Sequence, residues 1–188
     1  MAYTLITAPS SEPVSLAEAK LHLRVDGSDD DARITAFISA ARHLAEQKTG
    51  RAFAPQTWEI VLDAFPEAFT LYNAPITAVT SLKYIDEAGI EQTLAAESYQ
   101  LDKDSLPGYV VPAYGYTWPT PRAQANAVRL RYTCGHATSD ADLAALKMWM
   151  LVAISTWYKH SAATTDGNPG ELPRSYLDGL LDRYKLYA

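Results

Sequence analysis

Apolar positions recur at helical intervals near both ends of the 188-residue chain and at intervals of two in between. The first helical run opens at Ser15-Leu16-Ala17-Glu18, the S-x-x-E spacing of a capping box, in which the Ser and Glu side chains satisfy orphan amides of the first turn. A short helix from Leu16 to Arg24 is predicted. After an acidic turn from Asp26 to Asp31, Ile34, Phe37, Ile38, Ala41, Leu44 and Ala45 fall at helical spacing. Gly50, just beyond, is placed to end this helix in a left-handed conformation that glycine enters without steric cost.

From Gln56 the period becomes two, with Trp58, Ile60 and Leu62 alternating against Thr57, Glu59 and Val61. Short runs rich in branched and aromatic residues follow at Phe69–Tyr72, Val79–Ile85, Ile90–Leu94, Tyr99–Leu101, Tyr109–Val111 and Val128–Thr133, separated by Pro, Gly, Asn or Asp. Asp86-Glu87-Ala88-Gly89 has hairpin length, so the strands on either side of it are predicted to pair. An antiparallel sheet or small barrel is expected.

Helical spacing returns from Ala141 to about Ser161, capped by Ser139 or Asp140. Leu143, Leu146, Met150, Ala153, Ile154 and Trp157 make one stripe, and Trp149, Leu151, Val152 and Tyr158 read as lying on other faces. A helix apolar around most of its circumference must be enclosed by its own domain or by another subunit. After a Gly/Pro/Asn loop from Thr164 to Glu171, Pro173 starts a last amphipathic helix with Tyr176, Leu177, Leu180, Leu181 and Tyr184 on its apolar face. The fold class is therefore α+β: a helical core of two N-terminal and two C-terminal helices with an inserted antiparallel β-region. As domains, 1–188 forms one unit, with a β-rich insertion at 56–133 between helices at 15–50 and 140–187.

Composition refines this picture. With 48% hydrophobic and 20% charged residues, the chain falls in the range of one soluble globular domain. At this length it can bury roughly two-thirds of its unfolded surface without a disulfide or metal staple. Cys134 is the single cysteine and forms no internal bridge. Met1–Pro9 lacks the basic start and long apolar run of a signal peptide. Leu143–Tyr158 is interrupted by Lys147 and is shorter than the roughly 20 residues a membrane-spanning helix needs. The net charge of -6 is wrong for gripping nucleic acid through phosphates, although such a protein can surround DNA without holding it.

Candidate chemistry is sparse. Asp26, Ser28 and Asp30 match the first, third and fifth positions of a calcium loop, but Asp31 replaces its glycine and Phe37 its terminal glutamate. The simpler expectation is that these carboxylates cap and face the positive end of the second helix. Cys134 and His136 are spaced to share one side of an extended segment, with no orienting acid at a recognisable spacing. His22, His43 and His160 lack the H-x-x-x-H spacing of a helical zinc site. Tyr109, Tyr114, Tyr116 and Trp118 lie in a Pro-rich stretch poor in basic residues, which favours packing or subunit contact over base stacking. Arg129 and Arg131 share a strand face; the pair suits an acidic neighbour or a DNA phosphate, with a solvated sheet face the simpler expectation. No catalytic, metal or cofactor site is expected; an enzyme working through Cys134 or the acidic turn is the less favoured class.

Taken together, several segments resemble one family. Pro13-Val14-Ser15-Leu16-Ala17-Glu18-Ala19-Lys20, Leu21-His22-Leu23-Arg24-Val25-Asp26, Asp29-Asp30-Asp31, Thr49-Gly50-Arg51 before Gln56-Thr57-Trp58, Pro75-Ile76 with Val79–Tyr84, Asp86–Gly89, Arg129–Gly135 and the helix ending Trp157-Tyr158 are similar in order and kind to head-tail connector proteins of tailed bacteriophages, also called head-completion or adaptor proteins. The departures lie mainly near Cys134 and His136. The resemblance implies a virion or prophage-encoded structural protein at the head-tail junction, assembled in the host cytoplasm. It implies a dodecameric homo-oligomeric ring that docks on the portal, meets a downstream neck or tail protein, and lets DNA pass non-specifically. Another neck or tail component, such as a tail terminator, is the alternative. Candidate subunit or portal contacts are Trp149, Val152, Trp157 and Tyr158 on one C-terminal helix, and Tyr176, Leu177, Leu180 and Tyr184 on the other.

Overall fold

The computed structural model describes residues 2–137, 141–159 and 179–186. They fall into two compact units, one from Met1–Ser10 and Pro55–His136, the other from Ser11–Ala54 and Ala137–Ala188.

The first unit is all β. Its strands are β1 (Ala2–Thr7), β2 (Gln56–Leu62), β3 (Phe69–Leu71), β4 (Ile76–Ile85), β5 (Glu91–Thr93), β6 (Tyr99–Asp102), β7 (Gly108–Pro112) and β8 (Val128–Cys134). They form two antiparallel sheets, ordered β1-β2-β8-β4-β5 and β3-β7-β6. The expected β4–β5 hairpin is present, with Lys83 opposite Thr93 and Ile85 opposite Glu91. The register places Ile60 beside Leu130 and Leu130 beside Leu82, so the three stack across the central strands and are fully buried. The period of two leaves Glu59, Arg131, Arg129 and Lys83 on the opposite face.

Strand β1 has no counterpart in the sequence-based expectations. It pairs with β2, where Leu5 faces Trp58, and Tyr3 stacks on the Trp58 ring at 4.7 Å. The Tyr3 hydroxyl also shares a hydrogen bond with that of Tyr132, which is fully buried and donates to the Tyr72 carbonyl at 2.9 Å.

The second unit is helical: α1 (Leu16–Leu23), α2 (Asp31–Thr49) and α3 (Ala144–Lys159). The capping box is complete, with the Glu18 amide donating to Ser15 Oγ at 3.2 Å and the Ser15 amide donating to Glu18 Oε2 at 2.8 Å. These bonds hold the Glu18 carboxyl below its ordinary range. At the C-terminal end of α2, Gly50 takes φ 71° and its amide bonds to the Glu46 carbonyl. Ile34, Ile38, Ala41 and Ala45 form the buried stripe of α2, facing a core that includes Phe53, Leu146, Trp149, Met150 and Ile154.

Three expectations change here. Trp149 belongs to the buried stripe of α3, because it lies three residues beyond Leu146 and beside Met150. Leu143 precedes α3 in a short 3-10 turn, and the proposed caps Ser139 and Asp140 lie outside the described residues. The loop 164–171 and the start of the predicted last helix also lie outside them, while Gly179–Tyr184 is a 3-10 turn.

Candidate functional site

In the helical unit, the outer part of α3 is organised by the turn before α2. The Tyr158 hydroxyl donates to Asp30 Oδ2 at 2.6 Å, and the Arg33 guanidinium lies 5.0 Å from the Tyr158 ring centre and 5.5 Å from that of Phe37. Arg33 Nη2 donates to the Tyr158 carbonyl at 3.3 Å, and the Phe37 and Trp157 rings approach to 6.1 Å. The carboxylate that accepts its hydrogen bond holds the Tyr158 phenol above its ordinary pKa. Trp157 and Tyr158 are thus fixed in place, each half-buried.

The same geometry corrects the expected role of the acidic turn. Asp30 occupies the N-cap position but makes no side-chain capping bond, since Tyr158 and Arg33 engage its carboxylate. Asp31 is taken by Lys20 at 2.6 Å. A stronger charge-assisted partner wins over the helix amides.

The proposed contact residues separate by burial. Trp149 and Tyr184 are each 5% exposed within the core of their own unit. The Tyr184 hydroxyl bonds to the Asp142 carbonyl. Val152, Trp157, Tyr158 and Leu180 are half-buried. Tyr176 and Leu177 lie outside the described residues.

In the β unit the aromatic run divides similarly. Trp118 stacks on Phe65 at 5.1 Å and meets Phe69 edge-on at 5.7 Å. Tyr114 is fully exposed and Tyr116 is 51% exposed. Cys134 is buried at the end of β8, and His22 and His43 are on the surface. Among the described residues no cluster of His, Cys, Asp or Glu could hold a metal ion, and no helix is long and apolar enough to cross a membrane.

Arg129 and Arg131 are not a plain solvated pair. Both reach Glu59, whose side chain is only 10% exposed, with Arg131 Nη2 at 2.8 Å and Arg129 Nη1 at 3.2 Å. Lys83 pairs with Glu91 at 2.7 Å nearby. Sequence spacing relates Arg129 to Arg131, but Glu59 lies 70 residues from Arg129 and joins them only through the β2–β8 register.

Three comparisons bear on this chain. It is similar over 100% of its length to a chain in the neck of an empty GTA particle computed with C6 symmetry, at 24% identity and TM-score 0.78, covering 97% of that chain. A chain in the virion of a native gene transfer agent (GTA) particle gives 24% identity and TM-score 0.75, with the same coverage. One in the neck of a native GTA particle computed with C12 symmetry gives 23% and 0.74, again with 100% and 97% covered. At these identities the likeness is one of fold. No curated protein matches. The family model for the phage gp6-like head-tail connector protein matches residues 13–106, from the segment leading into the capping box through α1, α2 and the five strands β2 to β6. The chain belongs to the phage gp6-like head-tail connector protein family.

Proposed function

We propose that this protein is a non-catalytic subunit of a connector ring that docks on the portal and forms a conduit for DNA during head completion and ejection. Family membership makes it a structural component of the phage neck. The ring is supported by full-length likeness to neck chains of particles computed with C6 and C12 symmetry. Physical features agree with this role. A closed cyclic ring uses a heterologous interface, so each subunit needs two different complementary patches. The half-buried Val152, Trp157, Tyr158 and Leu180 supply apolar and aromatic surface for one of them, toward a neighbouring copy or the portal. An excess of 22 acidic over 16 basic residues keeps a duplex from adhering to the conduit wall.

The single observation carrying this proposal is the family match, which places the chain among head-tail connectors. Light scattering over a concentration series, with and without the portal protein, tests it. A ring-sized species or a portal-bound complex is expected. A protein that stays monomeric throughout and never engages the portal overturns the proposal.

A further inference from the structure

We propose that the recess framed by Lys83, Arg129 and Arg131 is the socket in which one subunit receives the Asp26–Asp29 turn of the next. This inference rests on the ring proposed above and supplies a specific contact for it.

The recess lies on the polar face of the five-stranded sheet and encloses about 500 Å³. Its wall is built from a cross-strand row in which Arg131 sits between Glu59 and Ser81, while Arg129 sits between Val61 and Lys83. Glu59 is 10% exposed in its side chain, whereas Arg129 and Arg131 are 47% and 41% exposed. The carboxylate therefore lies beneath the guanidiniums and holds them in place. It uses Arg129 Nη1 and Arg131 Nε and Nη2, so each guanidinium keeps further donors for another acceptor. Such a forked pair suits carboxylates or phosphates.

Two features favour discrete carboxylates over a nucleic-acid backbone. Glu91 stands in the same wall, 49% exposed in its side chain and paired with Lys83, and repels any anion laid across it, so the recess suits single carboxylates placed at Arg129 and Arg131 and not a continuous row of phosphates. The recess holds three cations against two carboxylates, too small an excess to grip a polyanion.

The chain itself carries the complementary group. In the turn before α2, Asp30 is engaged by Arg33 and Tyr158, and Asp31 by Lys20. Asp26 and Asp29 take part in none of these pairs and are exposed. The basic socket belongs to the β unit and the acidic turn to the helical unit. They are thus two different patches, as a heterologous contact requires.

The test compares ring formation by the wild type, by Asp26→Asn/Asp29→Asn, and by Glu59→Gln/Arg129→Gln/Arg131→Gln, which empties the socket without stranding a buried carboxylate. Each variant is expected to raise the concentration for half-assembly by roughly tenfold or more, as close interfacial charge pairs do. Oxidation of Asp29→Cys/Lys83→Cys is expected to give a ladder of covalent oligomers. Rings formed by the Asp26/Asp29 variant at the wild-type concentration overturn the inference, and because those side chains are exposed, that result does not depend on whether the triple variant folds. Duplex-DNA binding lost on emptying the socket, with assembly unchanged, also overturns it and assigns the face to DNA. A wild type that never forms rings, alone or with portal, overturns the ring proposal itself.

Discussion

Replacing Trp149 with alanine probes the packing on which the helical unit depends. Trp149 is 5% exposed and belongs to a core that includes Ile34, Ile38, Phe53, Met150 and Ile154. Emptying a buried Trp site costs about 3–5 kcal/mol, from lost transfer energy and the cavity left behind. That is a large share of the roughly 5–15 kcal/mol by which domains are stable. At about 2–4 °C per kcal/mol for a chain of this size, the melting temperature should fall by about 6–20 °C. Far-ultraviolet circular dichroism reads the helices, which belong to the second unit. The helical signal should melt early in Trp149→Ala. Trp149→Asp adds a buried unpaired charge and should not accumulate folded helical unit. A Trp149→Ala melt within about 2 °C of the wild type, less than about 1 kcal/mol on the same scale, would refute the reasoning.

Arg42, 8% exposed, bridges Glu12 at 2.8 Å and Glu46 at 2.7 Å, so Arg42→Ala takes the Arg42 counter-charge from a nearly buried Glu46 carboxylate that keeps its bond from the Phe53 amide. A loss of about 3 kcal/mol in urea unfolding is expected, and a change below about 1 kcal/mol contradicts it. Ser15→Ala removes one half of the capping box and should cost about 1 kcal/mol. Hydrogen exchange at the first α1 amides should quicken, and unchanged protection there rules the cap out as a stabiliser. Burial pushes the Tyr3 and Tyr132 phenols far above their ordinary value, so the folded state keeps protons that the unfolded chain releases above about pH 10. Their contribution is therefore complete below that pH and is lost as pH rises further. Urea midpoints between about pH 8 and 11 should fall at the alkaline end, and less steeply in Tyr132→Phe. Parallel pH profiles for the variant and wild type refute this.

Local signals in the sequence were legible where the chemistry that decides them is also local. The Ser15/Glu18 box, the α2 stripe, Gly50 and the hairpin at Asp86–Gly89 depend on residues within a few positions of each other. Strand β1 escaped because Ala2–Thr7 is a short run whose strand character comes from pairing with Gln56–Leu62, including a Tyr3–Trp58 stack across 55 positions. The acidic turn departs from its expected role for a related reason. Its sequence context favours capping, but Tyr158, 128 residues away, is a competing donor that spacing cannot reveal. Trp149 joins the buried stripe because positions three and four residues beyond Leu146 share its face, so Trp149 and Met150 are buried together. In the candidate interfaces, Arg129 and Arg131 were visible as a pair, but the buried Glu59 that orders them required the sheet register.

The central claim, that copies of this chain form the connector ring, is tested most directly by imaging assembled particles and averaging the neck. The account predicts a closed ring of this chain seated against the portal, with twelve copies expected from the family resemblance. Density for this chain lying beyond the connector at the tail end, or its absence from the neck, would contradict the account.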